Sequence, residues 1–255
     1  TQSVTELWKF RGSKYVQSFI SETLLIQLKQ DLLNGLNVLF VGTPCQVSGV
    51  RSFLKNTYDN LYLVDIVCHG VPSSDLFSAY IKGKIGSNMI IGRINFRDNQ
   101  QYKLSVFGLD GKLLYSKKMP DDLYYVGFMR RLLFRDSCYQ CRYAQEKRIS
   151  DITVGDFWGV GTLKLKERPK KGLSLILVHT ERGNRLFNKI QAELYFEERP
   201  VSEAVAGNKQ LRFPSRKHFT RGLFCKLYRV LGFERAAKMA LFFDRIAYSI
   251  LLKNK

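Results

Sequence analysis

Residues 38–54 read VLFVGTPCQVSGVRSFL. Val38-Leu39-Phe40-Val41 is a short, uninterrupted apolar run, the pattern of a strand covered on both faces. Gly42-Thr43-Pro44-Cys45 makes a turn, and Gln46 to Leu54 follows as a helix. Residues 61–82, LYLVDIVCHGVPSSDLFSAYIK, repeat the plan. Leu61 to Val67 is the strand, Cys68-His69-Gly70-Val71-Pro72 the turn, and Ser73 or Ser74 caps a helix running to Lys82. Consecutive strand–helix units predict parallel neighbouring strands, because the crossover is right-handed. The fold class is therefore α/β: a mixed, mainly parallel sheet with βα units, a β-hairpin insertion and a helical C-terminal tail.

Working outward, residues 4–18 form a loop centred on Arg11-Gly12-Ser13-Lys14-Tyr15. Phe19 to Asn34 reads as an amphipathic helix, with Ile20, Leu24, Leu28 and Leu32 on one face and Gly35 at the C-cap position. Ile90 to Phe96 is a strand that runs into Arg97-Asp98. Tyr102–Phe107 and Lys112–Lys118 flank Asp110-Gly111, a strong hairpin signal. Asp122 to Phe134 reads as a helix, Asp151 to Val154 as a strand, and Leu173 to Val178 as another. Between the last two lies a basic loop at 162–172. Thr180 caps a helix to Ala192, and Leu194–Phe196 reads as a short strand.

The composition changes at Gly207, where basic residues begin to alternate with phenylalanines. The expected division is a main α/β domain over 1–206 and a basic helical tail over 207–255. In the tail, Ala236 to Leu252 carries Met239, Phe242, Phe243, Ile246 and Ile250 opposite Lys238, Asp244 and Arg245. Such a helix suits an anionic membrane surface or its own core. The chain holds 41 Lys+Arg against 22 Asp+Glu, a net charge of +19, which favours an anionic partner. Five cysteines in 255 residues are too few for a disulfide scaffold and point to reduced thiols, hence a cytoplasmic compartment, with peripheral membrane contact through the tail as an extension. No run is long enough to span a bilayer. The chain starts at Thr1, inside a polar segment, and the expectation is that an upstream domain precedes it.

The chemistry-bearing residues are thiols. Cys138 and Cys141 form a Cys-x-x-Cys pair in SCYQCRYAQEKRISDITVGDFWG, residues 137–159. A spacing of two residues brings both sulfurs to one side, but zinc and iron–sulfur clusters usually take four ligands. Cys45 and Cys68 leave the C-terminal ends of successive strands, the edge where open α/β sheets bind ligands. Adjacent strands stand ~4.8 Å apart, so these two thiols are the candidates for the missing pair. Cys225 has no cysteine neighbour in the sequence and reads as a plain thiol.

Six segments in this order resemble the coenzyme F-420 hydrogenase/dehydrogenase beta-subunit family: Phe10 to Ser18, Gly42-Thr43-Pro44-Cys45-Gln46, Cys68 to Pro72, Phe96-Arg97-Asp98, Ser137 to Cys141, and Ser150-Asp151-Ile152 through Gly159. The resemblance implies an iron–sulfur flavoprotein oxidoreductase that binds a 4Fe-4S cluster and FAD. It would pass electrons to or from an acidic redox partner such as ferredoxin, a missing ferredoxin-like segment, or a deazaflavin coenzyme. It makes Cys45, Cys68, Cys138 and Cys141 the cluster ligands. Arg11, Ser13, Lys14, Tyr15, Gly42, Thr43, Gln46 and Arg97 become the flavin-site candidates, and no catalytic residue is assigned. After Asp98 the chain departs from relatives that carry a Lys and a Gly-Trp, showing Asn99-Gln100-Gln101-Tyr102 instead. Two readings of other classes compete. A zinc-stabilised nucleic-acid-binding protein would use the same four thiols and the positive charge, but structural zinc sites draw ligand pairs from short local loops. A non-catalytic membrane-associated module would use the tail.

Overall fold

The computed structural model describes residues 3–10, 12–98, 101–159, 164–165 and 172–244. The chain forms two compact units, each discontinuous in sequence. One comprises residues 19–69 and 140–215; the other comprises 1–18, 70–139 and 216–255.

The unit of residues 19–69 and 140–215 is built on a four-stranded sheet ordered β1 (Val38–Gly42), β2 (Leu61–Ile66), β6 (Ile152–Asp156), β7 (Ser174–Val178). The first three strands are parallel, and β7 runs antiparallel to β6. Helices α1 (Glu22–Leu33) and α2 (Pro44–Leu54) pack Leu28, Leu32, Val47, Val50 and Leu54 against Leu61 and Leu63 of β2. Ser21 caps α1 by accepting from the Leu24 amide, and Gly35, at φ 77°, turns the chain out of it. Helix α5 (Glu181–Ile190) is capped by Thr180, and α6 (Val201–Gly207) follows.

Asp151 ties this sheet together. Its amide donates to Leu63 O at 2.7 Å, and its Oδ2 accepts from Leu63 N at 2.8 Å. Its Oδ1 accepts from Thr180 Oγ1 at 2.6 Å, which in turn caps α5 by accepting from Gly183 N. The residue is buried and acts as one more ladder rung before β6 begins. Gly183 is required here, since a Cβ on it would overlap the Asp151 carbonyl oxygen.

The other unit holds an antiparallel sheet ordered β3 (Ile91–Asp98), β4 (Gln101–Gly108), β5 (Leu113–Lys118). Helices α3 (Ser74–Ile85), α4 (Leu123–Met129) and α7 (Arg221–Ala240) cover it. Its core is aromatic: Phe77, Tyr80, Phe96, Tyr124, Tyr125, Phe224 and Phe233 are all buried. Such rings bury large area and prefer edge-to-face packing, as Phe77 and Tyr124 do at 4.8 Å between centroids. Asp122 caps α4 through Tyr125 N at 2.7 Å, and its other oxygen accepts from Tyr80 OH and Tyr115 OH at 2.9 Å each.

The mixed sheet, both βα units and the hairpin are as the sequence predicts. Several details differ. Helix α2 begins at Pro44, so Cys45 lies in its first turn. Thr43 and Gln46 form a capping box that starts the helix earlier than the apolar pattern suggests. The helix expected over 122–134 stops at Met129, because Arg131 adopts φ 59°. No strand forms at Leu194–Phe196. The tail helix begins at Arg221, not Ala236, and breaks at Gly232 (φ 71°, ψ 179°) into two arms that fold back on each other, with Thr220 Oγ1 donating to Ala240 O at 2.9 Å. The 162–172 loop lies outside the described residues apart from Lys164, Leu165 and Gly172, as does the tail from 245 onward.

Candidate functional site

Strands β1 and β2 pair in register, with Gly42 opposite Asp65. Three residues beyond that pair, on the same sheet edge, come Cys45 and Cys68. Two adjacent parallel strands thus deliver one thiol each at the same step past a registered rung. Cys45 is exposed at the N-terminus of α2, with Thr43 Oγ1 at 3.2 Å from its sulfur. Cys68 is half-buried. Thr43 N donates to Gln46 Oε1 at 2.9 Å, and Thr43 Oγ1 donates to the same oxygen at 3.0 Å. A Cβ at Gly42 would crowd Gln46 Oε1, so the glycine leaves room for this cap.

Cys141 belongs to the same unit and is half-buried, with its carbonyl accepting from Ala144 N at 3.3 Å. Cys138 lies in the other unit, packed with Phe128, Phe134 and Tyr139, its sulfur 3.9 Å from Val71 O. None of the five cysteines forms a disulfide. As soft donors the four candidate thiols suit an iron–sulfur cluster. Among the described residues, no three His, Cys, Asp or Glu side chains gather closely enough to hold a metal ion. Cys225 is exposed on α7.

Next to the Cys68 edge runs a buried polar file that sequence reasoning missed. Asp65 and Thr153 are register partners on β2 and β6. Thr153 Oγ1 donates to Asp65 Oδ1 at 2.5 Å and stands 2.9 Å from His179 Nε2. Because the single hydroxyl proton is committed to Asp65, His179 must be the donor from Nε2. The Arg148 guanidinium, also buried, has Nε 4.0 Å from Asp65 Oδ2, and neither atom makes a hydrogen bond. Burial raises the Asp65 pKa despite Thr153 and Arg148, while burial and then Arg148 lower that of His179. The signal available in the sequence was a polar residue inside each apolar strand run, Asp65 in Leu61 to Val67 and Thr153 in Ile152-Thr153-Val154.

In the other unit the structure brings Tyr15 and Arg97 together. Arg97 Nε and Nη2 donate to Tyr15 OH at 3.2 and 3.0 Å, and the guanidinium lies 4.7 Å from the Tyr102 ring centroid. Tyr15 stacks on Phe128 at 4.4 Å and meets Phe96 and Tyr125 edge-on at 5.5 Å. Tyr124 OH donates to Tyr15 O at 2.8 Å. Tyr15 is thus an anchor, and it holds Ser13 and Lys14 on the exposed part of the loop. Arg11 lies outside the described residues. The turn after Cys68 is fixed by Gly70, at φ 114°, where a Cβ would run into the Phe134 ring.

These features define a mixed α/β protein with paired thiols on one strand edge, a Cys-x-x-Cys segment and a basic aromatic loop. A family profile describing the C terminus of the beta subunit of coenzyme F420 hydrogenase/dehydrogenase matches residues 35–204. The chain belongs to that family. Among solved structures, a chain of the F420-reducing NiFe hydrogenase complex from Methanosarcina barkeri, studied by xenon derivatization, is similar at 17% identity and a TM-score of 0.43, covering 81% of this chain and 68% of that one. Comparison with curated protein sequences gives no match. Among the described residues, no helix is long and apolar enough to cross a membrane.

Proposed function

We propose that this chain is an iron–sulfur flavoprotein oxidoreductase of the coenzyme F-420 hydrogenase/dehydrogenase beta-subunit type. The observation that carries the reading is the placement of Cys45 and Cys68 at equal steps beyond the registered Gly42–Asp65 pair, in a chain whose family profile spans both. In this reading Cys45, Cys68, Cys138 and Cys141 hold one 4Fe-4S cluster, which supplies one-electron transfer when bound. FAD takes its negative charge to the basic loop, where Lys14 or Arg11 neutralises the pyrophosphate and Arg97 keeps Tyr15 in place. The +19 charge attracts an acidic donor or acceptor of the ferredoxin kind, or a phosphorylated deazaflavin.

Anaerobically purified protein, analysed for iron, sulfide, zinc and flavin, tests this reading. The expected outcome is a coloured protein whose visible absorption bleaches on reduction and which carries flavin with iron. A colourless protein with stoichiometric zinc would support the nucleic-acid-binding alternative and reject the redox one.

A further inference from the structure

The tail helix packs the opposite way from its apolar pattern. Its inward face is Phe224, Phe233, Ala236, Ala237 and Ala240, with Phe233 set against Tyr80 at 4.7 Å. The alanines let the helix backbone approach its own core closely. Asp244, on the polar side of the expected amphipathic helix, is instead buried, ion-paired with Arg130 and 3.1 Å from His218 Nε2. Met239, Phe242 and Phe243, the apolar side of the expected helix, face solvent, and Phe243 is 73% exposed.

The two arms of the helix fold back at Gly232, so Phe219 stands beside the end that carries these residues: Thr220 Oγ1 donates to Ala240 O at 2.9 Å. Before the kink at Gly232, Leu223, Lys226, Arg229 and Val230 point outward, and Val230 is 82% exposed. Beyond it, Arg235, Lys238, Met239 and Phe242 recur at helical spacing on the outer side. Phe219, 79% exposed, lies just ahead of the helix. Single exposed apolar residues are ordinary, but Phe219, Met239, Phe242 and Phe243, gathered where the ends of the two arms meet, form an unpartnered apolar cluster. From Arg221 to Phe243 there are five Lys and Arg residues and a single acid, Glu234, which is bound to Lys84 and Lys238.

We infer that the exposed side of this helical pair is a peripheral docking surface for an anionic lipid bilayer. Phenylalanines and aliphatics enter the boundary between headgroups and acyl chains, while the flanking lysines and arginines meet lipid phosphates. Charge decides the occupant: a second copy would bring the same Lys226, Arg229, Arg235 and Lys238 to the interface, and the two faces would repel. The inference is independent of the redox reading, because no candidate cluster ligand or flavin residue lies on these two arms.

The test is flotation of the full chain with vesicles of phosphatidylcholine alone and of phosphatidylcholine mixed with phosphatidylglycerol. Binding only to the mixed vesicles, weakening with added salt, is expected. Phe242→Glu/Phe243→Glu should melt like the parent yet bind roughly tenfold or more weakly, since each buried phenylalanine contributes on that scale. Lys226→Glu/Arg229→Glu should weaken binding by a comparable factor. Phe242→Trp keeps the face apolar and should add blue-shifted emission on the mixed vesicles. The proposal is overturned if the parent does not float with the mixed vesicles, if both vesicle types bind it equally, or if the double glutamate variant floats unchanged. A dimer in light scattering that the double glutamate variant abolishes would also overturn it.

Discussion

Replacing Asp151 with alanine removes two acceptors from the centre of the parallel sheet at once. Leu63 N and Thr180 Oγ1 lose partners at 2.8 and 2.6 Å, and the Leu63 amide is left in a buried environment. A hydrogen bond to a charged acceptor contributes about 1.5–3 kcal/mol, and an orphaned buried donor costs about 1–3 kcal/mol. The combined loss for Asp151→Ala is then roughly 3–5 kcal/mol. For a chain of this size each kcal/mol moves the melting temperature by roughly 2–4 °C, which gives a fall of roughly 6–20 °C. Asp151→Asn keeps one oxygen but turns an NH2 toward a donor, so it should fall between parent and alanine. Scanning calorimetry with urea titration measures both. A drop of less than about 2 °C for the alanine variant would refute the claim that Asp151 acts as a rung joining β2, β6 and α5.

Gly183→Ala forces a methyl group into the Asp151 carbonyl, so it should cost about 1–3 kcal/mol by urea titration; a neutral result would mean α5 can slide without loss. The folded state holds His179 below its ordinary pKa, first through burial and then through Arg148, so it binds fewer protons than the unfolded chain just below pH 6.5. Stability is therefore full above that value and lost as the pH falls through it. Asp65, raised by burial, works in the opposite direction at lower pH, and His218, lowered mainly by burial, adds to the loss. His179→Gln should remove part of the slope measured by denaturation between about pH 7 and about pH 5, and an unchanged slope would show that His179 does not contribute to it. If the basic loop holds FAD, Lys14→Glu and Arg97→Ala should both lower the flavin retained through purification. Parent-like flavin content in both variants would move the flavin elsewhere.

The sheet was legible because its signals are local. Val38–Val41 and Leu61–Val67 are apolar runs bounded by Gly, Thr, Pro and Ser, and the strands lie where those runs do. The shared edge from which Cys45 and Cys68 leave followed from topology alone, since β1 and β2 are adjacent parallel strands in register. What escaped depends on contacts far apart in sequence. Asp65, Arg148, Thr153 and His179 meet only because β6 pairs with β2 across a long connection. The role of Gln46 as a helix cap was hidden by its place in a motif-like turn. The tail's helix starts earlier than the sequence suggests, and periodicity, which shows that a helix has two faces, leaves open which one its own core accepts. Alanines at 236, 237 and 240 pack against the aromatic core better than the larger Met239 and Phe242, which stay outside.

The redox reading stands or falls on four particular thiols holding one cluster. Iron and sulfide per chain, measured across five single Cys→Ser variants prepared without oxygen, decide it. Serine keeps the shape but offers a harder and far less acidic oxygen than the thiolate an iron–sulfur cluster binds. Loss of iron and sulfide is expected in Cys45→Ser, Cys68→Ser, Cys138→Ser and Cys141→Ser, with parent-like content in Cys225→Ser. Full retention in Cys45→Ser or Cys68→Ser would contradict the reading, because the two strand-end thiols would then be spectators.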